Sequence, residues 1–141
     1  TLLGGDSLDG PAYAALAGEA VRGTYYVSLV PDPEALPQAR AWAAAYRQRY
    51  GEEPHGLALL AYDAVRLLLA AAQGAGAGQG GAAPCERHRV AAALREVRFA
   101  GLSGPIAFDE RGDNVHAGEA APRFLRLEDG YPGVPVVPSP R

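Results

Sequence analysis

The 141 residues carry a formal charge of -3, from 13 arginines against 16 carboxylates, with 48% hydrophobic and 21% charged side chains. The charges are scattered and form no basic stripe, which excludes the electrostatic footprint of a nucleic-acid binder, and the hydrophobic fraction excludes a chain disordered throughout. The longest apolar stretch, about residues 57–72, is interrupted by Tyr62, Asp63 and Arg66 on what should be one helix, so it reads as a core helix rather than a membrane span.

Thr1-Leu2-Leu3 reads like the inside of a buried strand, so residue 1 is expected not to be the natural start. The loop Gly4-Gly5-Asp6 follows, and Asp9-Gly10-Pro11 supplies a helix start with proline near the first helical position. A first helix is predicted over 11–22, because Tyr13, Leu16, Ala17, Ala20 and Val21 recur at three- and four-residue spacing, with Gly23 placed for a left-handed stop. Residues 24–30 are β-branched and aromatic and predict a strand that Pro31-Asp32-Pro33 ends.

A second helix is predicted over 38–50, with Trp42, Ala43, Tyr46 and Tyr50 on one face and Gly51 as its terminator. The third and most apolar helix is predicted over 55–73. Residues 74–81, mostly glycine and alanine, have no side chains to pack and read as a mobile connector rather than a nucleotide loop. A fourth helix is predicted over 85–97, then a turn-rich passage over 99–113 holding one short strand at 105–108. Residues 123–128 alternate like a half-exposed strand, Asp129-Gly130 is a turn, and the proline-rich tail leaves room for one edge strand at most.

Strand, helix, strand and a helical pair make the fold class α/β without naming a family. Five blocks do more. Gly4-Gly5-Asp6-Ser7-Leu8, the run from Ala17-Gly18-Glu19 to Gly23-Thr24-Tyr25-Tyr26, Ala45-Tyr46-Arg47-Gln48-Arg49-Tyr50-Gly51 with Pro54, Ala61-Tyr62-Asp63-Ala64-Val65, and Phe99-Ala100-Gly101-Leu102-Ser103-Gly104 leading to Phe108-Asp109 and Asp113 stand in one order. In that order and spacing they resemble the C-terminal part of the leucine/isoleucine/valine-binding protein family. The resemblance implies part of a bilobal type I periplasmic-binding-protein fold, a parallel sheet flanked by helices, with most of the N-terminal lobe missing. It implies that 1–30 belongs to the C-terminal lobe, that 31–113 packs on the N-terminal lobe, and that 114–141 returns to the C-terminal lobe and ends in a tail. Helices two and three would then lack the sheet they cover in the family.

The same resemblance implies a non-catalytic, extracytoplasmic or periplasmic receptor of an ABC importer. Its partners would be a small-molecule ligand, such as a branched-chain amino acid or a related polar molecule, and a membrane permease, with no cofactor. In the family an acidic residue just after this strand accepts the ammonium of the bound amino acid, and Asp6 stands at the matching position. Ser7 and Tyr25 are further lining candidates; Tyr25 and Tyr26 must face opposite sides of their strand, so one is core. The local alternative for Asp6 is that it satisfies backbone donors ahead of the first helix.

Two rival readings stand beside this one. Gly5-Asp6-Ser7-Leu8 spells the signature of the GDSL esterases, and Asp113-Asn114-Val115-His116 has their Asp-x-x-His spacing, which would make Ser7 the nucleophile, His116 its base and Asp113 the orienter. The Gly-x-Asn-Asp element of that family is absent. The third reading is the ligand-sensing domain of an amide-type regulator, which uses the same bilobal fold. No metal site is expected: Cys85 and His88 are two ligands where zinc needs four, and Asp109, Glu110 and Asp113 lack the spacing of an EF-hand and read as a turn. The single cysteine leaves the redox compartment open.

Overall fold

A computed structural model describes residues 1–76, 86–117 and 122–136. The chain divides into two compact units, one of residues 1–30 with 120–141 and one of residues 31–119.

In the first unit, β1 (Leu3–Gly4), β2 (Tyr25–Ser28), β5 (Arg123–Arg126) and β6 (Val134–Pro135) form a sheet in the order β1-β2-β5-β6. The sequence leads one to expect a parallel sheet, and the sheet here is mixed. β1 and β2 are parallel, with Leu3 opposite Tyr25, whereas β5 runs antiparallel to β2, with Ser28 opposite Arg123. The reason is where the chain leaves and re-enters: β2 ends at Ser28 and β5 begins at Arg123, so exit and return share one end of the sheet. Helix α1 (Pro11–Ala17) covers one face. Val21, Tyr26, Leu125 and Leu127 form the core there, with Leu8, Tyr13, Ala14 and Ala17 packed against it. Period-two alternation explains the choice: Tyr26 lies opposite Leu125 on the buried face, while Val27 lies opposite Phe124 on the other, where Phe124 is 62% exposed.

The first helix is shorter than its apolar spacing predicts. It stops at Gly18, whose φ of 53° leaves the helical region, and residues Gly18–Val21 continue as a 3-10 turn. That turn still delivers Val21 to the core, which is why the three- and four-residue spacing runs on past the helix end.

In the second unit, α2 (Arg40–Tyr50) follows a 3-10 turn and ends at Gly51, which adopts the left-handed conformation at φ 71°, as its sequence position predicts. Helix α3 (Gly56–Gly74) begins with the His55 ring accepting from the Leu57 amide at 3.2 Å. The two helices meet through Trp42 and Tyr62, whose ring centres lie 5.8 Å apart, while Tyr46 lies 5.4 Å from Trp42 within α2. Helix α4 (Arg87–Glu96) packs against α3, and its predicted start at Cys85 lies outside the described residues, as do residues 77–81 of the glycine-rich connector. The strand expected at 105–108 is β4 (Pro105–Ala107), and it pairs with a strand that periodicity did not separate from the turn-rich passage, β3 (Arg98–Ala100). Three residues are too few for alternation to stand out.

Helix α3 is long and apolar enough to cross a membrane by length and composition. Its middle nevertheless holds Asp63, 1% exposed, whose carboxylate accepts from the Leu102 amide at 3.0 Å and from the Ser103 amide at 2.7 Å and hydroxyl at 2.6 Å. An acid satisfied by a neighbouring turn is the packing of a core helix. Gly101 must be glycine for this clasp, because a side chain there would come within 2.7 Å of Asp63 Oδ2 and 2.9 Å of the Gly104 carbonyl.

Candidate functional site

The carboxyl end of β1 carries the residues that the sequence singles out. After Gly4 the chain runs extended through Gly5 and then makes one 3-10 turn, Asp6–Leu8, closed by the Leu8 amide on the Gly5 carbonyl at 3.2 Å and the Asp9 amide on the Asp6 carbonyl at 2.9 Å. Within this turn the side chains divide. Asp6 and Ser7 are exposed, Leu8 packs against the core, and Asp9 is buried, 6% exposed. Leu8 lies directly over Gly4, where any side chain would meet its Cδ1 at 2.2 Å and displace the leucine side chain.

Among the described residues nothing hydrogen-bonds to the Asp6 carboxylate, and the Leu8 and Asp9 amides are met by backbone carbonyls. Ser7 is its exposed neighbour on the same turn. Such a carboxylate, at the carboxyl end of a parallel strand, can accept charge-assisted hydrogen bonds from a cationic donor.

Tyr25 is not brought to this turn. It opens β2 opposite Leu3, whereas the turn follows the other end of the parallel pair. Its hydroxyl meets Arg126 at 3.5 Å, the Arg126 guanidinium lies 5.9 Å from its ring centre, and Glu128 pairs with the same arginine. Tyr25 instead lines a cleft of about 420 Å³ on the sheet face away from α1, with Leu3, Phe124 and Val136.

Ser7 lies in the first unit, and Asp113 and His116 lie in the second. Asp113 belongs to a tight turn in which Asp109 Oδ1 accepts the amides of Arg111 at 2.9 Å and Asp113 at 3.0 Å, as the sequence predicts for this acidic run. The His116 amide donates to Asn114 Oδ1 at 3.2 Å. Among the described residues no group of three histidine, cysteine or acidic side chains is placed to hold a metal ion. His88 faces Glu86 at 3.4 Å on the surface, and Cys85 lies outside the described residues.

Sequence reasoning missed what lies beneath the turn. The Asp9 carboxylate accepts the Ser28 hydroxyl, and the phenols of Tyr26 and Tyr131 lie close enough to feel its charge. Arg123 Nη2 donates to Ser28 Oγ at 3.2 Å and to the Val30 carbonyl at 3.0 Å. Burial, with Asp9 next in effect, pushes the Tyr131 phenol well above the ordinary tyrosine range. Burial also raises that of Tyr26, against the lowering effect of the Gly133 amide that donates to its oxygen at 3.3 Å. One signal was present in the sequence: Thr24 and Ser28 share the inward phase of a strand with Tyr26, and polar residues on a buried face require partners.

Comparison with known proteins places this geometry in context. The family model for periplasmic binding proteins matches residues 1–131. A comparison with curated protein sequences finds no match. Among solved structures, the leucine-binding protein LivK of Thermotoga maritima is 33% identical, with a TM-score of 0.71, the match covering 91% of this chain and 34% of that one. The branched-chain amino acid transporter substrate-binding protein LivJ of Streptococcus pneumoniae, in complex with isoleucine, is 26% identical at a TM-score of 0.68, covering 95% and 36%. A solute-binding protein of an R. palustris ABC transporter, in complex with benzoate, shares the fold at 23% identity and a TM-score of 0.66, covering 96% and 35%. The chain thus spans about a third of the length of the solved relatives it matches.

Proposed function

Because the chain belongs to the periplasmic binding protein family, we propose that it forms part of the non-catalytic, extracytoplasmic receptor of an ABC importer for branched-chain amino acids or related small polar ligands. The observation that carries the reading is Asp6: an exposed carboxylate, on a turn at the carboxyl end of β1, with its acceptor capacity unused among the described residues. An amino-acid ammonium is the complementary donor, and Ser7 beside it can accept a further hydrogen bond. In the whole protein the free energy of such contacts favours a closed arrangement of two lobes, which a membrane permease then recognises; no bond is made or broken in the ligand.

Calorimetry on the protein carrying this chain, with L-leucine, L-isoleucine and benzoate, tests the reading. Leucine or isoleucine should bind saturably, and Asp6→Ala should weaken that binding about 10- to 150-fold, the equivalent of losing one hydrogen bond to a charged group. Neither protein should hydrolyse p-nitrophenyl acetate. Hydrolysis that disappears in Ser7→Ala, without amino-acid binding, would mean that the Gly5-Asp6-Ser7-Leu8 signature denotes an esterase and that this reading is wrong.

A further inference from the structure

We propose that Asp9 is a positioning residue for ligand binding: it holds the Asp6–Ser7 turn in place through a buried polar cluster with Ser28, Arg123, Tyr26 and Tyr131. The inference rests on the reading of Asp6 as the ammonium acceptor and adds residues that touch no ligand.

The argument begins with an apparent waste. Asp9 stands just before a helix, where an aspartate ordinarily caps the first turn from the surface, yet the N-cap of α1 is Gly10 and no side chain caps it. The Asp9 carboxylate is instead taken into the interior, where an ionised group is tolerated only among donors. The Ser28 hydroxyl donates to it, and the phenols of Tyr26 and Tyr131 stand within reach of its charge. Arg123 adds positive charge from β5 through Ser28 and fixes the end of β2 by its bond to the Val30 carbonyl. Tyr26 is held in turn by the chain around it, since the Gly133 amide donates to its oxygen and a side chain at Gly133 would press on that ring at 2.9 Å.

Three separate stretches of the unit, β2, β5 and the loop of Tyr131, therefore gather around one carboxylate, and that carboxylate is connected to the candidate site through the backbone. The Asp9 amide closes the 3-10 turn on the Asp6 carbonyl at 2.9 Å, so any displacement of Asp9 is passed to Asp6. Leu8 pins the same turn from the apolar side, over Gly4. With Leu8 and Asp9 anchored, the turn can present only Asp6 and Ser7 outward. A turn tethered at two points loses less freedom on binding than a loose one, and it keeps the acceptor at a defined place.

A double-mutant cycle measured by calorimetry on the protein carrying this chain separates positioning from general stability. The probes are L-leucine and isocaproate, which is leucine without its amino group; the variants are Asp9→Asn, Ser28→Ala and Tyr131→Phe, each alone and combined with Asp6→Asn. If Asp9 acts through Asp6, Asp9→Asn weakens leucine binding about 5- to 30-fold, leaves isocaproate binding within about twofold, and causes no further loss once Asp6→Asn is present. Ser28→Ala and Tyr131→Phe should follow the same pattern with smaller factors, and they carry the test if Asp9→Asn does not fold. Losses that multiply in the Asp6→Asn background, or that fall equally on isocaproate, would show that Asp9 only stabilises the fold and would overturn the proposal while leaving Asp6 as the acceptor. Leucine binding that Asp6→Asn does not weaken would remove the ligand reading, and this inference with it.

Discussion

Asp63 accepts hydrogen bonds from both the amide and the hydroxyl of Ser103, 40 residues further along the chain, at 2.7 and 2.6 Å. With the Leu102 amide at 3.0 Å, the carboxylate closes the β3–β4 turn onto the middle of α3.

Removing that acceptor strands buried donors. Asp63→Ala should therefore destabilise the protein by about 2–4 kcal/mol, since each unsatisfied buried group costs about 1–3 kcal/mol. Asp63→Asn should cost less, because the amide oxygen still accepts. Urea denaturation of the two variants beside the wild type checks both the size and the order.

Gly101→Ala attacks the same clasp from the other side. The new methyl group would come within 2.7 Å of Asp63 Oδ2 and 2.9 Å of the Gly104 carbonyl, so a loss of about 1–3 kcal/mol is expected from overpacking. Because both changes break one interaction, the double variant Asp63→Ala with Gly101→Ala should lose less than the sum of the single losses, as read from the same denaturation curves.

Tyr26 and Tyr131 make stability sensitive to alkali. Both phenols have folded pKa values raised above the ordinary 10.0, chiefly by burial, so the folded state holds their protons more tightly than the unfolded state. Their contribution is fully present below pH 10 and is lost as the pH rises above it towards the folded values. Thermal melts from neutral pH upward should show a melting temperature insensitive to these groups until about pH 10 and then falling. Tyr131→Phe should flatten the alkaline fall, and tyrosinate absorbance should show two late-ionising residues in the wild type and one in the variant.

The outer face of the first sheet predicts association. Leu3 is 77% and Phe124 62% exposed beside the cleft lined by Tyr25, and an apolar face of this kind seeks cover. This chain prepared by itself should self-associate in a concentration-dependent way in sedimentation velocity. Phe124→Lys should shift the distribution towards monomer while changing stability by no more than about 0.5 kcal/mol, as for other exposed positions.

Legible from the residues alone are the features whose physics is local or repeated. The stop of α2 at Gly51 follows from one left-handed residue, the length of α3 from apolar spacing, and the membership of the family from five blocks in one order. The turn of Asp109 was equally legible, since an aspartate accepting amides two and four residues on needs nothing beyond its own segment. Which acids are buried and which are presented follows instead from contacts between distant segments. Asp6 and Asp9 are three residues apart and chemically identical, yet one faces water and the other faces Ser28, Tyr26 and Tyr131, because partners from distant segments reach only the second. The antiparallel return of β5, the Asp63 clasp on Ser103 and the Tyr26–Gly133 contact across 107 residues share this origin. Hydrogen bonds between distant segments leave no period in a sequence, and they form only when the hydrophobic faces that do leave one have brought those segments together.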